Sequence, residues 1–200
     1  MTEAATNRRH FVLASQSPRR AELLRRIGIV PDEIIGADLE EIPAKGELPP
    51  AMARRLALEK LTSIKPRFPD SFVLAADTVV ALGRRILGKP DDEAMARRHL
   101  ALLSGRRHRV ITAVACTAPD GRSGLRIATT AVSFKQLQEA EISAYIDSGE
   151  WQGKAGSYAI QGAAEMFVRR INGSYSNVVG LPLFETAALL GGLSWPILGR

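Results

Sequence analysis

The sequence predicts a mixed α/β fold, in which a sheet is flanked by helices and two lobes enclose a cleft. Strand and helix patterns alternate over the first hundred residues, which is typical of α/β proteins. Two strand-like runs then follow as a hairpin, which makes the sheet mixed. The 200 residues, 46% of them hydrophobic and 24% charged, suffice for one well-packed domain over residues 1–200, with an ordered core at about 10–192.

The first elements are a strand and a helix that are joined by a serine-rich turn. Residues 11–14 are apolar and form the strand. Ser17 is a favourable N-cap, and Pro18 suits the first helical position because its missing N–H would be unpaired there. Apolar residues at helical spacing extend the helix over 18–27, and Gly28 ends it.

A second helix and the most apolar strand come next. After an irregular or extended segment at 29–49, the helix spans about 50–63. The strand at 72–82 is almost continuously apolar, which is the pattern of a strand buried on both faces. A glycine turn leads to a short strand that ends in Gly88-Lys89-Pro90, and an aspartate-capped helix then runs to about residue 103.

A hairpin opens the second half of the chain. Runs with strand patterns at about 108–117 and 125–135 flank Pro119-Asp120-Gly121-Arg122, whose residues favour a tight turn. Three elements complete the prediction: a helix at 138–148, a strand near 166–171 and a helix from about 183 to 190.

The composition argues against several classes of protein. No apolar run approaches the roughly 20 residues that span a bilayer, and the N-terminus has no signal-peptide pattern. The single cysteine, Cys116, excludes an internal disulfide framework and a cysteine-based zinc site. These features predict a cytoplasmic protein without a membrane partner.

The charge favours anionic partners. The net charge is +6 and the isoelectric point about 9.9, which suits nucleotides, nucleic acids or acidic proteins. However, the arginines occur in dispersed pairs, and aromatic residues make up only 6% of the chain. A nucleic-acid-binding protein would need a basic stripe or stacking aromatics, so no stable nucleic-acid partner is expected.

The turn after the first strand has the pattern of an anion-binding site. The first turn of a helix presents unpaired backbone N–H groups and the positive end of the helix dipole. Ser15 and Ser17 add hydroxyl donors, while Arg19 and Arg20 add guanidinium groups that suit phosphate oxygens. The alternative is an ordinary capped helix with two exposed arginines.

Asp77 is the sharpest chemical signal, because it interrupts the apolar strand at 72–82. A buried carboxylate is costly unless it is paired, hydrogen-bonded or bound to metal. Glu41 (or Glu40 beside it), Lys60 and Lys89 are candidates to converge on it. Carboxylates would then hold a divalent cation while lysines neutralise a polyphosphate. The alternatives are a buried hydrogen-bonded network around the aspartate and three ordinary surface residues.

Five short segments carry a resemblance to a known family, and they follow the family's order from residue 13 to about 190. The segments are LASQSPRR (13–20), AADTVV (75–80), GKP (88–90), YAIQG (158–162) and INGSYSNVVGLPL (171–183). Through them the chain resembles the Maf family of nucleoside triphosphate pyrophosphatases. This resemblance implies a fold like that of the inosine triphosphate pyrophosphatases and a homodimer. It also implies cleavage between the α- and β-phosphates, with Mg²⁺ or Mn²⁺ as the cofactor.

The resemblance further implies roles for individual residues. The family's proton acceptor falls on Asp77, which would act either as the catalytic base or as a metal ligand. Glu41 would be the second metal ligand. The remaining phosphate-binding residues would be Ser15, Arg19, Arg20, Lys60 and Lys89.

Base preference follows from three positions at which the chain resembles the dTTP/UTP subgroup, namely Arg19, Thr78 and Gln161. The subgroup that acts on 7-methyl-GTP carries glutamate in place of Gln161. A glutamine amide offers both an acceptor and a donor to thymine or uracil, whereas a carboxylate offers only acceptors. The expected substrates are therefore dTTP and UTP, or a modified pyrimidine nucleotide, in a role that cleanses the nucleotide pool. The alternatives are a non-catalytic nucleic-acid-binding protein and a regulator of cell division at the septum.

Overall fold

A mixed seven-stranded sheet with helices on both faces organises residues 9–197, the part of the chain that the computed structural model describes. Its strands are β1 (Phe11–Ala14), β2 (Glu33–Ile34), β3 (Phe72–Leu82), β4 (Arg85–Leu87), β5 (Arg107–Thr117), β6 (Ser123–Phe134) and β7 (Val168–Asn172). The helices are α1 (Pro18–Arg26), α2 (Pro49–Ile64), α3 (Glu93–Leu103), α4 (Glu139–Asp147), α5 (Tyr175–Val179) and α6 (Leu183–Gly192). The mixed α/β class predicted from the sequence is confirmed.

The sheet has the order β2-β1-β3-β5-β6-β7, and β4 also pairs with β3. On one edge of β3, the parallel partner β1 ends opposite Ala75, and the antiparallel partner β4 ends opposite Val80. Within the described chain, no strand pairs with residues 76–79 on that edge. The other edge of β3 pairs continuously with β5. The sheet therefore opens on one side at the middle of β3.

Two hydrophobic clusters cover the two faces of the sheet. The larger one joins the sheet to α1, α3, α4 and α6, and it contains the aromatic side chains of Phe134, Tyr145 and Phe167. The smaller one lies beneath α2, and within residues 9–197 seven of its fifteen buried residues are alanines. Small side chains let a helix lie close to a sheet. Helix α2 is thereby held near the opening in β3.

Most element boundaries agree with the sequence-based predictions, and the differences have local causes. The last strand begins at Val168 because residues 163–167 form a 3₁₀ turn. The five-residue helix α5 was not predicted; Ser174 caps it by accepting a hydrogen bond from the Asn177 N–H. Ser17 does occupy the N-cap position of α1, but its side chain makes no capping hydrogen bond. Within the described range, no helix has the length and apolarity needed to cross a membrane.

The buried histidine of β5 is expected to make the stability of the protein depend on pH. His108 is 1% exposed, and its Nε2 lies 2.8 Å from the Tyr158 hydroxyl. Burial lowers the His108 pKa from 6.5 to about 4. Below pH 6.5 the unfolded chain therefore binds a proton that the native chain excludes, and stability falls as the pH is lowered.

Between pH 7.5 and pH 5, we expect His108 to account for a loss of about 2 kcal/mol in the free energy of unfolding. His108→Gln retains a polar group facing Tyr158 but does not titrate. Urea unfolding of both proteins at the two pH values should show the smaller loss in the variant. Equal losses would contradict the assignment.

Candidate active site

The opening in β3 is the floor of a cleft with a volume of about 370 Å³. Its lining includes the turn between β1 and α1, residues 152–155 and residues 158–161. Residues 178–180, at the end of α5, also line the cleft. The nine site residues predicted from the sequence all line this cleft: Ser15, Arg19, Arg20, Glu41, Lys60, Asp77, Thr78, Lys89 and Gln161. Glu40, the alternative to Glu41, is exposed and is not among the lining residues.

Two carboxylates and two lysines form a continuous chain of ion pairs at one end of the cleft. Lys60 Nζ lies 2.6 Å from Asp77 Oδ1 and 2.6 Å from Glu41 Oε1. Lys89 Nζ lies 2.5 Å from Glu41 Oε2. Asp77 and Lys60 are 4% and 7% exposed, so their charges depend on each other for compensation. Lys60 reaches Asp77 because α2 packs closely on the sheet beneath it.

Glu41 is held ionised by its two lysine partners. Burial acts to raise its pKa, but the hydrogen bonds and charges of Lys60 and Lys89 outweigh this effect and lower the pKa below its ordinary value. Since Glu41 belongs to an irregular segment, these two ion pairs also hold that segment at the edge of the cleft.

Arg20 is fixed by three oxygen acceptors from three parts of the fold. Its guanidinium donates to Ser15 Oγ at 3.0 Å, to Thr78 Oγ1 at 3.2 Å and to the Gly180 carbonyl at 2.8 Å. Burial lowers its pKa, and the negative charges of Asp77 and Glu41 oppose this shift. All three acceptors are neutral, so the positive charge of Arg20 remains available to an anion in the cleft.

Arg19 and Gln161 are less constrained than Arg20. Arg19 is half-buried, and its Nε donates to the Val179 carbonyl at 3.4 Å. Gln161 is exposed at the rim of the cleft. Both side chains can therefore adjust to a ligand. Their roles in base selection stay predictions.

A buried polar network lies behind the cleft and was not predicted. The hydroxyls of Thr78 and Thr112 lie 2.9 Å apart on the neighbouring strands β3 and β5. Thr112 also bonds the Asn177 carbonyl, and the Asn177 amide bonds Thr130 Oγ1 at 2.8 Å. Threonine is common in strands, so the two β5 and β6 threonines gave no functional signal. The Asn177 segment was noted only as one of the five segments that carry the family resemblance.

Lys154 is a further cation that sequence reasoning missed. It lines the cleft, and burial, together with the charge of Arg19, lowers its pKa. The available signal was its position after Gly153, because Lys89 follows Gly88 in the same way. Counting Lys154, five cationic side chains and two carboxylates of the described residues line the cleft. The site therefore attracts anions.

The carboxylates suit a cation that arrives with a phosphate ligand, and they do not form a protein cage. Within residues 9–197, no group of three His, Cys, Asp or Glu side chains could hold a metal ion. Asp77 and Glu41 both contact Lys60 Nζ at 2.6 Å, so their oxygens lie no farther apart than twice this distance. Mg²⁺ is commonly held by one or two carboxylates together with substrate phosphates and water. The donors present fit that mode of binding.

The fold and the cleft together define an α/β protein whose site suits a polyphosphate. The model of the family described as Maf-like protein matches residues 10–193. The chain belongs to this family, as its resemblance predicted.

Close relatives match almost the whole chain. The dTTP/UTP pyrophosphatase of Paramagnetospirillum magneticum is 60% identical over 185 residues, which cover 92% of this chain and 97% of that relative. The dTTP/UTP pyrophosphatase of Maricaulis maris is 52% identical over 200 residues, which cover 100% of this chain and 96% of that relative. Among solved structures, the Staphylococcus aureus Ham1 protein has a TM-score of 0.44 and 20% identity, and the match covers 63% of this chain and 72% of that one.

Proposed function

We propose that this protein hydrolyses dTTP and UTP to the monophosphate and pyrophosphate, and so removes these or modified pyrimidine nucleotides from the nucleotide pool. The observation that carries the proposal is the convergence of a buried carboxylate and several fixed cations on one cleft. The names of relatives that match over nine-tenths of the chain support the choice of substrates.

In this proposal, the cations bind the phosphates and offset the charge that develops on the leaving pyrophosphate. Arg20 and Lys60 are fixed by their partners before the substrate arrives, so they need little reorganisation. Lys89 is exposed and Arg19 is held by one long hydrogen bond of 3.4 Å, so in this proposal both close on the phosphates when these bind. Ser15 keeps the turn in shape, because its hydroxyl accepts bonds from the Ser17 N–H and from Arg20.

Asp77 has the central chemical role. Lys60 bonds its Oδ1 and so fixes the orientation of the carboxylate. Asp77 then either accepts the proton of the water that attacks the α-phosphorus or, with Glu41, holds a divalent cation. That cation, Mg²⁺ or Mn²⁺, would neutralise phosphate charge and acidify a bound water.

The first test is pyrophosphate release from a nucleotide panel with Mg²⁺ or Mn²⁺. The panel contains dTTP, UTP, CTP, ATP, GTP, ITP and 7-methyl-GTP. We expect release from dTTP and UTP above the other members, and loss of release when EDTA removes the cation. Release from no member would contradict the proposal and favour a non-catalytic regulator. That alternative predicts a degraded site, whereas the predicted charged residues all line the cleft.

Gln161→Glu is expected to change the order of substrates rather than abolish turnover. The carboxylate loses the donor that a uracil or thymine carbonyl would accept, and its charge disfavours a carbonyl edge. We expect kcat/KM for UTP to fall at least tenfold, the size of one charged-group mismatch, while 7-methyl-GTP improves relative to UTP. The same panel measures both effects. An unchanged order would remove Gln161 from base selection.

The homodimer and the cytoplasmic location also belong to the proposal. Both derive from the family resemblance and the sequence. Sedimentation of the purified protein tests the first, since a monomer at micromolar concentration would contradict it. Cell fractionation tests the second, and recovery of the protein outside the cytoplasm would contradict it.

A further inference from the structure

We infer that Thr112, a fully buried residue of β5 outside the cleft, is a positioning residue for Arg20 that acts through the hydroxyl of Thr78. This inference deepens the proposed function, on which it rests, because Arg20 is taken there to bind phosphate. Thr112 is 0% exposed and is not among the residues that line the cleft. Its effect on a ligand must therefore pass through other side chains.

Thr78 and Thr112 are directly opposite each other in the antiparallel pair of β3 and β5. Their hydroxyl oxygens lie 2.9 Å apart, which is hydrogen-bond distance. Arg20 Nη2 lies 3.2 Å from Thr78 Oγ1, and Thr112 Oγ1 lies 3.3 Å from the Asn177 carbonyl. These four groups form one continuous line from the cleft into the core.

The direction of each hydrogen bond in this line follows from its chemistry. A guanidinium can only donate, and a carbonyl can only accept. Arg20 therefore donates to Thr78, and Thr112 donates its single hydrogen to the Asn177 carbonyl. Thr112 is then an acceptor towards Thr78, whose own hydrogen finds its shortest acceptor there, at 2.9 Å. The other carbonyl near Thr78, that of Gly180, lies at 3.5 Å and already accepts from Arg20 Nε at 2.8 Å.

Thr112 thereby keeps Thr78 an acceptor for Arg20. Without the Thr112 oxygen, the acceptor left to the Thr78 hydrogen is the Gly180 carbonyl at 3.5 Å, and turning the hydroxyl towards it moves the lone pairs that accept from Arg20. The far end of the line is anchored firmly, because Asn177 is 0% exposed and its amide bonds the Val110 carbonyl at 3.0 Å and Thr130 Oγ1 at 2.8 Å. The relay therefore transmits a fixed hydrogen-bond direction from the core to the cleft.

The test compares Thr112→Val, which keeps the shape of the side chain, with Thr112→Ser, which keeps the hydroxyl. Two measurements are made: the KM and kcat for UTP, and the Kd for inorganic tripolyphosphate by calorimetry without metal. We expect Thr112→Val to raise the KM and the tripolyphosphate Kd about tenfold, the effect of one lost hydrogen bond, with a smaller change in kcat. Thr112→Ser should stay within about twofold of the wild type.

The control is Thr186→Val, which removes an equally buried hydroxyl on α6 that has no hydrogen-bond partner within residues 9–197 and lies outside the relay. It should leave both constants within about twofold. In a Thr78→Val background, Thr112→Val should cause no further change in the KM or in the tripolyphosphate Kd, because the relay acts through Thr78. If Thr112→Val does not fold, Thr112→Ala against Thr112→Ser repeats the comparison.

Unchanged constants in Thr112→Val, or equal losses in Thr186→Val, would overturn the inference. Additive losses in the double variant would also overturn it. Tripolyphosphate binding that weakens only in Thr112→Val would support the inference even if no nucleotide were hydrolysed, so the proposed function can fail separately. A wild-type protein that neither binds tripolyphosphate nor hydrolyses a nucleotide would contradict both.

Discussion

Asp77→Asn is expected to lower the kcat for pyrophosphate release from UTP about 10³-fold, while the protein remains folded. The amide has the shape of the carboxylate but neither its charge nor its basicity. Both roles proposed for Asp77 therefore fail in the variant. Lys60 keeps its ion pair with Glu41 at 2.6 Å, so the buried lysine retains a partner and the fold is preserved. Rapid-quench or coupled assays of pyrophosphate, together with a melting curve, measure the two properties.

Asp120→Asn provides the matched control for this experiment. Asp120 lies in the turn between β5 and β6, where its exposed side chain pairs with Arg122. The same chemical change at that position should leave the kcat at the wild-type value. Turnover of Asp77→Asn within tenfold of the wild type would exclude Asp77 as both base and metal ligand.

Lys60→Met is expected to lower the free energy of unfolding by about 3–5 kcal/mol. Methionine preserves much of the side-chain length but removes the charge that compensates Asp77 and Glu41. Two carboxylates are then left close together, one of them 4% exposed, without the cation that joined them. Urea unfolding at pH 7.5 measures the loss.

Lys89→Met separates the effect of burial from that of charge. Lys89 also pairs with Glu41, but its side chain is 54% exposed, whereas that of Lys60 is 9% exposed. An exposed ion pair contributes about 1 kcal/mol at most, so Lys89→Met should lower the free energy of unfolding by no more than this.

The double variant tests the charge that is left behind. Adding Asp77→Asn to Lys60→Met should recover about 2 kcal/mol of the free energy of unfolding, because one of the uncompensated charges is removed. If Lys60→Met and Lys89→Met lowered the free energy of unfolding equally, the chain of ion pairs would not be a buried one.

The sequence predicted the elements whose pattern is local and strong. The apolar run at 72–82 became β3 with the same limits, and the strand before the serine-rich turn also kept its limits. A functional role for Asp77 was predictable on physical grounds, because a carboxylate in such a strand requires a partner. The structure brings its candidate partners together, since Glu41, Lys60 and Lys89 line the same cleft. Their catalytic roles stay predictions.

Features that depend on distant segments were not predictable from local patterns. Lys60 contacts two carboxylates because α2 lies close to β3. The distance between a helix and a strand cannot be read from the sequence pattern of the helix alone. The Thr112 relay depends on strand register and on the end of α5, and each residue alone resembles ordinary strand or loop composition. Helix α5 itself was missed because it has only five residues, two of them valines, which are weak helix formers.

The alanine-rich contact beneath α2 has a consequence for how this protein tolerates mutation and redesign. The helix that seals one hydrophobic cluster also carries Lys60, so enlarging an alanine such as Ala57 or Ala113 would push the ammonium group away from Asp77. A shift of about 1 Å at a catalytic group can cost two orders of magnitude in rate. Larger side chains that are introduced into this cluster to raise thermal stability would therefore lower the turnover rate.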